Sequence, residues 1–136
     1  MSKPDGPATR MLASDEASRA LGMQLMECGP GHATVRMTVR QDMLNGHAIA
    51  HGGLVFALAD TAFACACNSH GPTTVAAGAE ITFLRAAQAG DELEARAVER
   101  VLHGRSGIYD VTVRRGTDVI AEFRGRSRTI GTQEAG

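Results

Sequence analysis

The stretch Gly52 to Ser69, GGLVFALADTAFACACNS, constrains this chain more than any other segment. It is eighteen residues long, lacks proline and is apolar on every side when wound as a helix. A helix of that kind belongs in the middle of a core, covered all round. As a membrane span it is at the short end of the range and carries an aspartate at its centre, so no membrane association is expected.

The rest of the chain supplies the covering as strands. Ala33, Val35, Met37 and Val39 alternate with Thr34, Arg36, Thr38 and Arg40, the period of two of a half-buried strand. Met23 to Glu27 reads as its partner, turned at Gly29-Pro30-Gly31. Thr74–Arg85, Glu92–Leu102, Ile108–Arg115 and Val119–Thr129 read as four more strands, with Arg115-Gly116-Thr117-Asp118 as a hairpin turn. A further helix is expected over Thr9–Leu21, stopped at Gly22, and residues 41–51 read as a loop. Residues 1–8 and 131–136 read as loose tails. Adjacent strands favour an antiparallel sheet, so the fold class is α+β, with one helix wrapped by a sheet. The 136 residues fit a single domain with an ordered core over about 9–130.

Composition excludes several functions. Fourteen basic residues against fifteen acidic ones leave a net charge of −1, which gives no footprint for nucleic acid. Cys28, Cys65 and Cys67 are an odd number of cysteines, and the polar segment Met1 to Arg10 has no apolar core of a leader. A reducing cytoplasm fits this usage. Cys65-Ala-Cys67 stands alone, short of the four ligands of a zinc site, so no metal is expected.

One charge interrupts the apolar helix. Asp60 is the only carboxylate between Asp42 and Glu80, and no lysine or arginine lies between Arg40 and Arg85. Burying an ionised carboxylate without partners costs several kcal/mol. Asp60 therefore meets a remote arginine, lines a solvated subunit interface, or performs chemistry. Upstream, His51-Gly52-Gly53 opens the same helix, where the first N–H groups lack intrahelical acceptors. Such amides can hold an anion or a developing oxyanion, although glycines also simply begin a tightly packed helix. His51 is either a base or a residue that orients the loop. Asn45 can hold a water or a carboxylate, and Asn45-Gly46 is also ordinary turn chemistry. Arg124, Arg126 and Arg128 share one strand face, which is either solvated or meets phosphates. Gly52 and Asp60 are eight residues apart, about 12 Å along a helix. If both serve one reaction centre, each site draws one of them from a second copy of the chain.

The run from Asn45-Gly46 through His51-Gly52-Gly53, Phe56, Leu58-Ala59-Asp60-Thr61-Ala62-Phe63-Ala64 and Cys67-Asn68-Ser69 resembles the hotdog-fold acyl-CoA thioesterases. Within them it is nearest to the thioesterases of phenylacetic acid degradation, the PaaI type. Phe83-Leu84-Arg85-Ala86-Ala87 and Gly90-Asp91-Glu92-Leu93 resemble later motifs of that family, with Ala86 where the family usually has proline. The resemblance covers about residues 9–130. It implies a helix wrapped by five or six antiparallel strands, homodimers with shared active sites, and a homotetramer. It implies a CoA thioester as substrate, with coenzyme A part of the substrate and no separate cofactor. By the same resemblance Asp60 is the catalytic acid, the Gly52 amide the oxyanion donor, and Asn45, His51, Gly53 and Thr61 substrate-binding positions. Asp60 acts either as nucleophile on the thioester or as general base on a water. A non-catalytic acyl-CoA-binding module and a hotdog hydratase or dehydratase are the alternatives; the latter pairs an acid with a histidine, and the helix around Asp60 holds none.

Overall fold

The computed structural model of the protein describes residues 6–131. In chain order it contains α1 (Pro7–Ala13), α2 (Glu16–Ala20), β1 (Gln24–Gly29), β2 (His32–Thr38), α3 (Gly52–Asn68), β3 (Thr74–Phe83), β4 (Glu92–His103), β5 (Ser106–Arg115) and β6 (Asp118–Thr129). The strands form one six-stranded sheet in the order β1-β2-β4-β5-β6-β3, antiparallel at every pairing. The sheet curls around α3, whose contacts run mainly to β2, β4 and β5. No helix among the described residues is long and apolar enough to cross a membrane.

Strand alternation decides which face meets α3. Leu93, Ala95 and Ala97 of β4 and Val111 and Val113 of β5 are fully buried, while Glu92, Glu94 and Arg96 between them are exposed. A one-residue slip would reverse both sets. The outer face is an ion-pair lattice. Arg124 donates from Nε and Nη2 to the two carboxylate oxygens of Asp110 at 2.6 and 2.8 Å, and Arg126 lies 3.4 Å from Glu80. Arg124, Arg126 and Arg128 do share this exposed face.

Three expectations from the sequence are corrected. The helix over Thr9–Leu21 is two helices, because the Asp15 carboxylate accepts from the Ser18 N–H at 3.0 Å and starts a new helix. An aspartate offers the backbone that local alternative, and it outweighs the continuous periodicity. Pro7 and Ala8, read as tail, begin α1, and Ala8 is buried; residues 1–5 and 132–136 lie outside the described residues. Leu84 and Arg85 leave β3, because both their N–H groups turn to the Ile120 carbonyl.

The helix is not covered on all sides within one chain. Gly53 is exposed, and Ala57, Asp60 and Ala64 are partly exposed. Their spacing of four, three and four residues makes one stripe along α3. On the covered side packing is tight at Phe63, which lies 5.5 Å from the Tyr109 ring and 5.8 Å from Phe123, centroid to centroid. The Phe63 ring also lies directly over Gly125, where an added Cβ would sit 2.7 Å from it. Gly125→Ala should therefore lower stability by about 1–3 kcal/mol in chemical denaturation, as overpacking does. Combining it with Phe63→Leu should recover part of the loss. Wild-type stability in Gly125→Ala alone would contradict this packing.

Candidate active site

The segment before α3 is held by backbone pairing. The Asn45 N–H donates to the Ile49 carbonyl at 2.8 Å, the His51 N–H to Met43, and the Ala50 N–H to Ala87 across to the β3–β4 connection. Ala48 sits at φ 61, an unusual conformation for a residue with a side chain. The Asn45 carbonyl oxygen Oδ1 accepts from the His47 N–H at 2.8 Å, so that half of the amide shapes the loop. Its Nδ2 has no acceptor among the described residues and remains available.

His51 caps α3. Its Nδ1 accepts from the Gly53 N–H at 3.2 Å, which occupies the Gly53 amide and leaves Nε2 toward solvent. The Gly52 N–H has no acceptor among the described residues. Gly52 lines a cavity of about 400 Å³ between the start of α3, the end of β3 and Ile120 of β6. Asn45 and Gly52 line this cavity together with Phe83 and Arg85. A Cβ on Gly52 would meet the Phe83 ring at 3.1 Å, so a glycine keeps this approach open. A larger hollow, about 720 Å³, lies on the outer sheet face. Its walls include Arg124 and Asp110, paired with each other, Arg96, paired with Glu27, Glu80, paired with Arg126, and Arg114, which has no carboxylate partner among the described residues. The smaller cavity is the one that offers an unused backbone donor at the start of a helix.

Asp60 stands elsewhere. It is half-buried, makes no hydrogen bond or ion pair with any described residue, and lies near enough to Asp15 at the start of α2 to feel its charge. Burial pushes its carboxyl above the usual range, and the negative charge of Asp15 pushes it further. Beside it, Thr61 Oγ1 lies 3.0 Å from Ser18 Oγ, and Ser18 donates from N and Oγ to the Asp15 carboxylate at 3.0 and 2.7 Å. With the Ser18 proton engaged on Asp15, Thr61 is the donor in that pair. The sequence held the cue for this network, an aspartate three residues before a serine, but its arrival beside Thr61 is a long-range contact.

The expected site residues thus fall into two groups in one chain. Asn45, His51, Gly52 and Gly53 gather at the start of α3; Asp60 and Thr61 lie two turns on, against α2. Met43, in the loop before α3, is core, with 1% of its surface exposed. Phe56 packs edge-on against Phe123, and Phe63 is buried. Cys65 and Cys67 are buried free thiols, pushed up to about 12 by desolvation, which makes them packing groups. The residues the sequence reading left without a role are Phe83, Leu84 and Arg85, whose place on the cavity wall follows from the β3–β6 pairing.

Comparison with known proteins converges on one family. The Thioesterase superfamily model matches residues 47–122. Acyl-coenzyme A thioesterase PaaI of Escherichia coli is 46% identical over 125 residues, which is 91% of this chain and 89% of that protein. The solved structure of the E. coli PaaI protein superposes with a TM-score of 0.91 at 44% identity, covering 93% of each chain. A mutant of the phenylacetic acid degradation protein PaaI from Thermus thermophilus superposes with a TM-score of 0.81 at 40% identity, covering 84% of this chain and 98% of that one. A curled antiparallel sheet around one long helix is the hotdog fold, and the chain belongs to the thioesterase superfamily.

Proposed function

We propose that the protein hydrolyses acyl-CoA thioesters, with phenylacetyl-CoA, its hydroxylated forms and related aromatic acyl groups as the preferred substrates. The observation that carries the reading is the pair of unused groups on one helix: a free N–H at Gly52, which lines a cavity, and an unpartnered acid at Asp60. The aromatic preference rests on the likeness to PaaI, a protein of the phenylacetic acid degradation operon.

The Gly52 amide, at the positive end of α3, polarises the thioester carbonyl and holds the oxyanion as it forms. Asp60 acts in one of two ways. As general base it takes a proton from water while the water oxygen bonds the carbonyl carbon; the intermediate collapses by breaking the C–S bond, and the thiolate leaves with that proton. As nucleophile its carboxylate oxygen bonds the carbon and expels the thiolate, and water then cleaves the anhydride. Single-turnover hydrolysis in heavy-oxygen water can reveal the second route, since label reaches Asp60 only when water attacks the Asp60 carbonyl of the anhydride. Thr61 and the Asn45 Nδ2 position water and carbonyl. His51 acts through the backbone it caps.

Gly52 and Asp60 lie about 12 Å apart along α3, so one chain does not bring both to one carbon. The cavity around Gly52 has no carboxylate in its wall, and none of Gly53, Ala57, Asp60 and Ala64, the partly exposed stripe, lines it. A second copy covering that stripe completes each site. The working unit is then a homodimer with shared sites, paired into a homotetramer, acting in the cytoplasm.

Purified protein should release free coenzyme A from aromatic acyl-CoA thioesters in a thiol-detection assay; release from no member of an aromatic and aliphatic panel contradicts the reading. Asp60→Asn should lower turnover by about a hundredfold or more, the scale of a lost general base, with folding intact. Turnover within about threefold of wild type would make Asp60 structural.

The acid limb of the rate profile offers a separate check. Asp60 must be ionised to act, and Asp15 opposes that ionisation, so Asp15→Asn, which preserves the helix cap, should move the limb to lower pH. A limb that stays in place or moves up removes Asp15 from the electrostatics of Asp60.

A further inference from the structure

Two polar side chains of α3 are buried, Asn68 and Thr61. Asn68 is engaged with backbone: its Nδ2 donates to the Ala64 and Thr74 carbonyls at 2.9 and 3.0 Å, and its Oδ1 accepts from the Thr74 N–H at 3.0 Å. That ties the end of α3 to β3. Thr61 differs. A threonine inside a helix commonly turns its hydroxyl back to the carbonyl three or four residues earlier. Thr61 forgoes that local bond, and the one hydrogen-bond partner of its hydroxyl among the described residues is Ser18 Oγ of α2, 43 residues away in sequence.

Ser18 is itself anchored at three points. Its N–H and hydroxyl donate to the two oxygens of the Asp15 carboxylate at 3.0 and 2.7 Å, and its carbonyl accepts from the Met23 N–H at 3.0 Å. Only 4% of the surface of Ser18 is exposed and 8% of that of Thr61, which keeps bulk water off this bond. The chain of bonds runs one way. An ionised carboxylate has no proton to give, and Ser18 gives its single hydroxyl proton to Asp15, so Thr61 donates to Ser18. A chain that ends on a charged acceptor is stronger than an isolated pair of hydroxyls. Thr61 is left with lone pairs and no free proton toward its other neighbours, and it adjoins Asp60 in the same turn of α3.

A hydroxyl with only lone pairs to offer can accept from water and cannot donate to a carbonyl. An ionised Asp60 is under the same restriction. We propose that Ser18 is a positioning residue for the hydrolysis, turning the Thr61 hydroxyl so that it accepts from the water entering the reaction. This rests on the acyl-CoA thioesterase reading above. Thr61 accepts a hydrogen bond from one O–H of that water and Asp60 from the other, which leaves the oxygen lone pairs for the carbonyl carbon. In this role Ser18 touches neither water nor substrate and acts through Thr61 alone. Without it, the Thr61 hydroxyl falls back on its local alternative, the Ala57 carbonyl four residues earlier.

Ser18→Ala removes the hydroxyl and keeps the N–H that caps α2 on Asp15, so the variant should fold. Its kcat for an acyl-CoA should fall by about tenfold, the scale of one misplaced hydrogen bond, with KM nearly unchanged. Thr61→Val, which removes the hydroxyl that Ser18 holds, should lose at least as much. The double variant should be no slower than Thr61→Val, whereas independent effects would multiply to about a hundredfold. The three-bond NMR coupling between the Thr61 amide nitrogen and its methyl carbon reports the side-chain rotamer, and it should change in Ser18→Ala. An unchanged kcat in Ser18→Ala, a raised KM in place of the lowered kcat, or multiplying losses in the double variant each overturn the proposal and leave the thioesterase reading standing. Wild-type protein that releases no coenzyme A from any thioester overturns that reading. The coupling then decides the placement of Thr61 by itself, a change supporting it and an unchanged value counting against it.

Discussion

Covering α3 is the constraint on which the remaining structure depends. Seventeen residues of helix, nearly all apolar, must be taken out of water, and a six-stranded sheet can reach only part of their circumference. Small residues make the close wrap possible. Ala33, Ala95 and Ala97 of the inner sheet face and Ala59, Ala62 and Ala66 of the helix are buried, and Gly125 lets the Phe63 ring lie against bare backbone. What the sheet leaves open is a stripe, and the unpartnered acid lies on it. A helix covered completely by its own chain would have nowhere to keep Asp60 at tolerable cost.

The two ends of the helix chemistry are electrically distinct. At the start, the dipole and a free amide favour developing negative charge, and among the described residues the one charged side chain lining the cavity there is a cation, Arg85. Two turns on, burial and Asp15 resist the ionisation of Asp60. An acid whose charge is disfavoured has a raised proton affinity, which suits a group that must accept a proton or bond to carbon. Thr61, Ser18 and Asp15 join α2 to α3 at that point by side-chain hydrogen bonds, so the N-terminal helices belong to the electrostatics of the acid.

Much of this was legible in the residues. The period-two strands β2, β4, β5 and β6, the apolar helix and the turn at Gly116-Thr117 are local signals, and each appears where the pattern puts it. Gly116 adopts φ 60, the conformation a two-residue hairpin loop demands. The break at Ser14-Asp15 was hidden because helical periodicity continues across it, and only the capping bond reveals two helices. The exposure of Asp60 was also hidden: an all-apolar pattern says a helix is covered, and does not say by which chain. The cavity wall at Phe83–Arg85 depends on β3 pairing with β6 across forty residues of sequence, roughly the span that local pattern reading does not bridge. His51 could be read as base or orienting group, and its Nδ1 bond to the Gly53 N–H gives the second role.

The central claim is that amide and acid from two chains make one site, and subunit mixing measures it directly. Gly52→Pro removes the free N–H at a first-turn position that suits a proline backbone, with the half-exposed Phe83 ring moving aside for the added Cβ, and His51 before it already holds the extended ψ of 129 that a following proline requires. Asp60→Asn removes the acid. Each variant alone should be nearly inactive. After subunit exchange, a mixed dimer holds one site with both groups and one with neither, so it should regain about half of wild-type activity, and a randomly paired sample about a quarter. A mixture as inactive as its parents, with exchange confirmed by differently tagged subunits, would contradict the shared site.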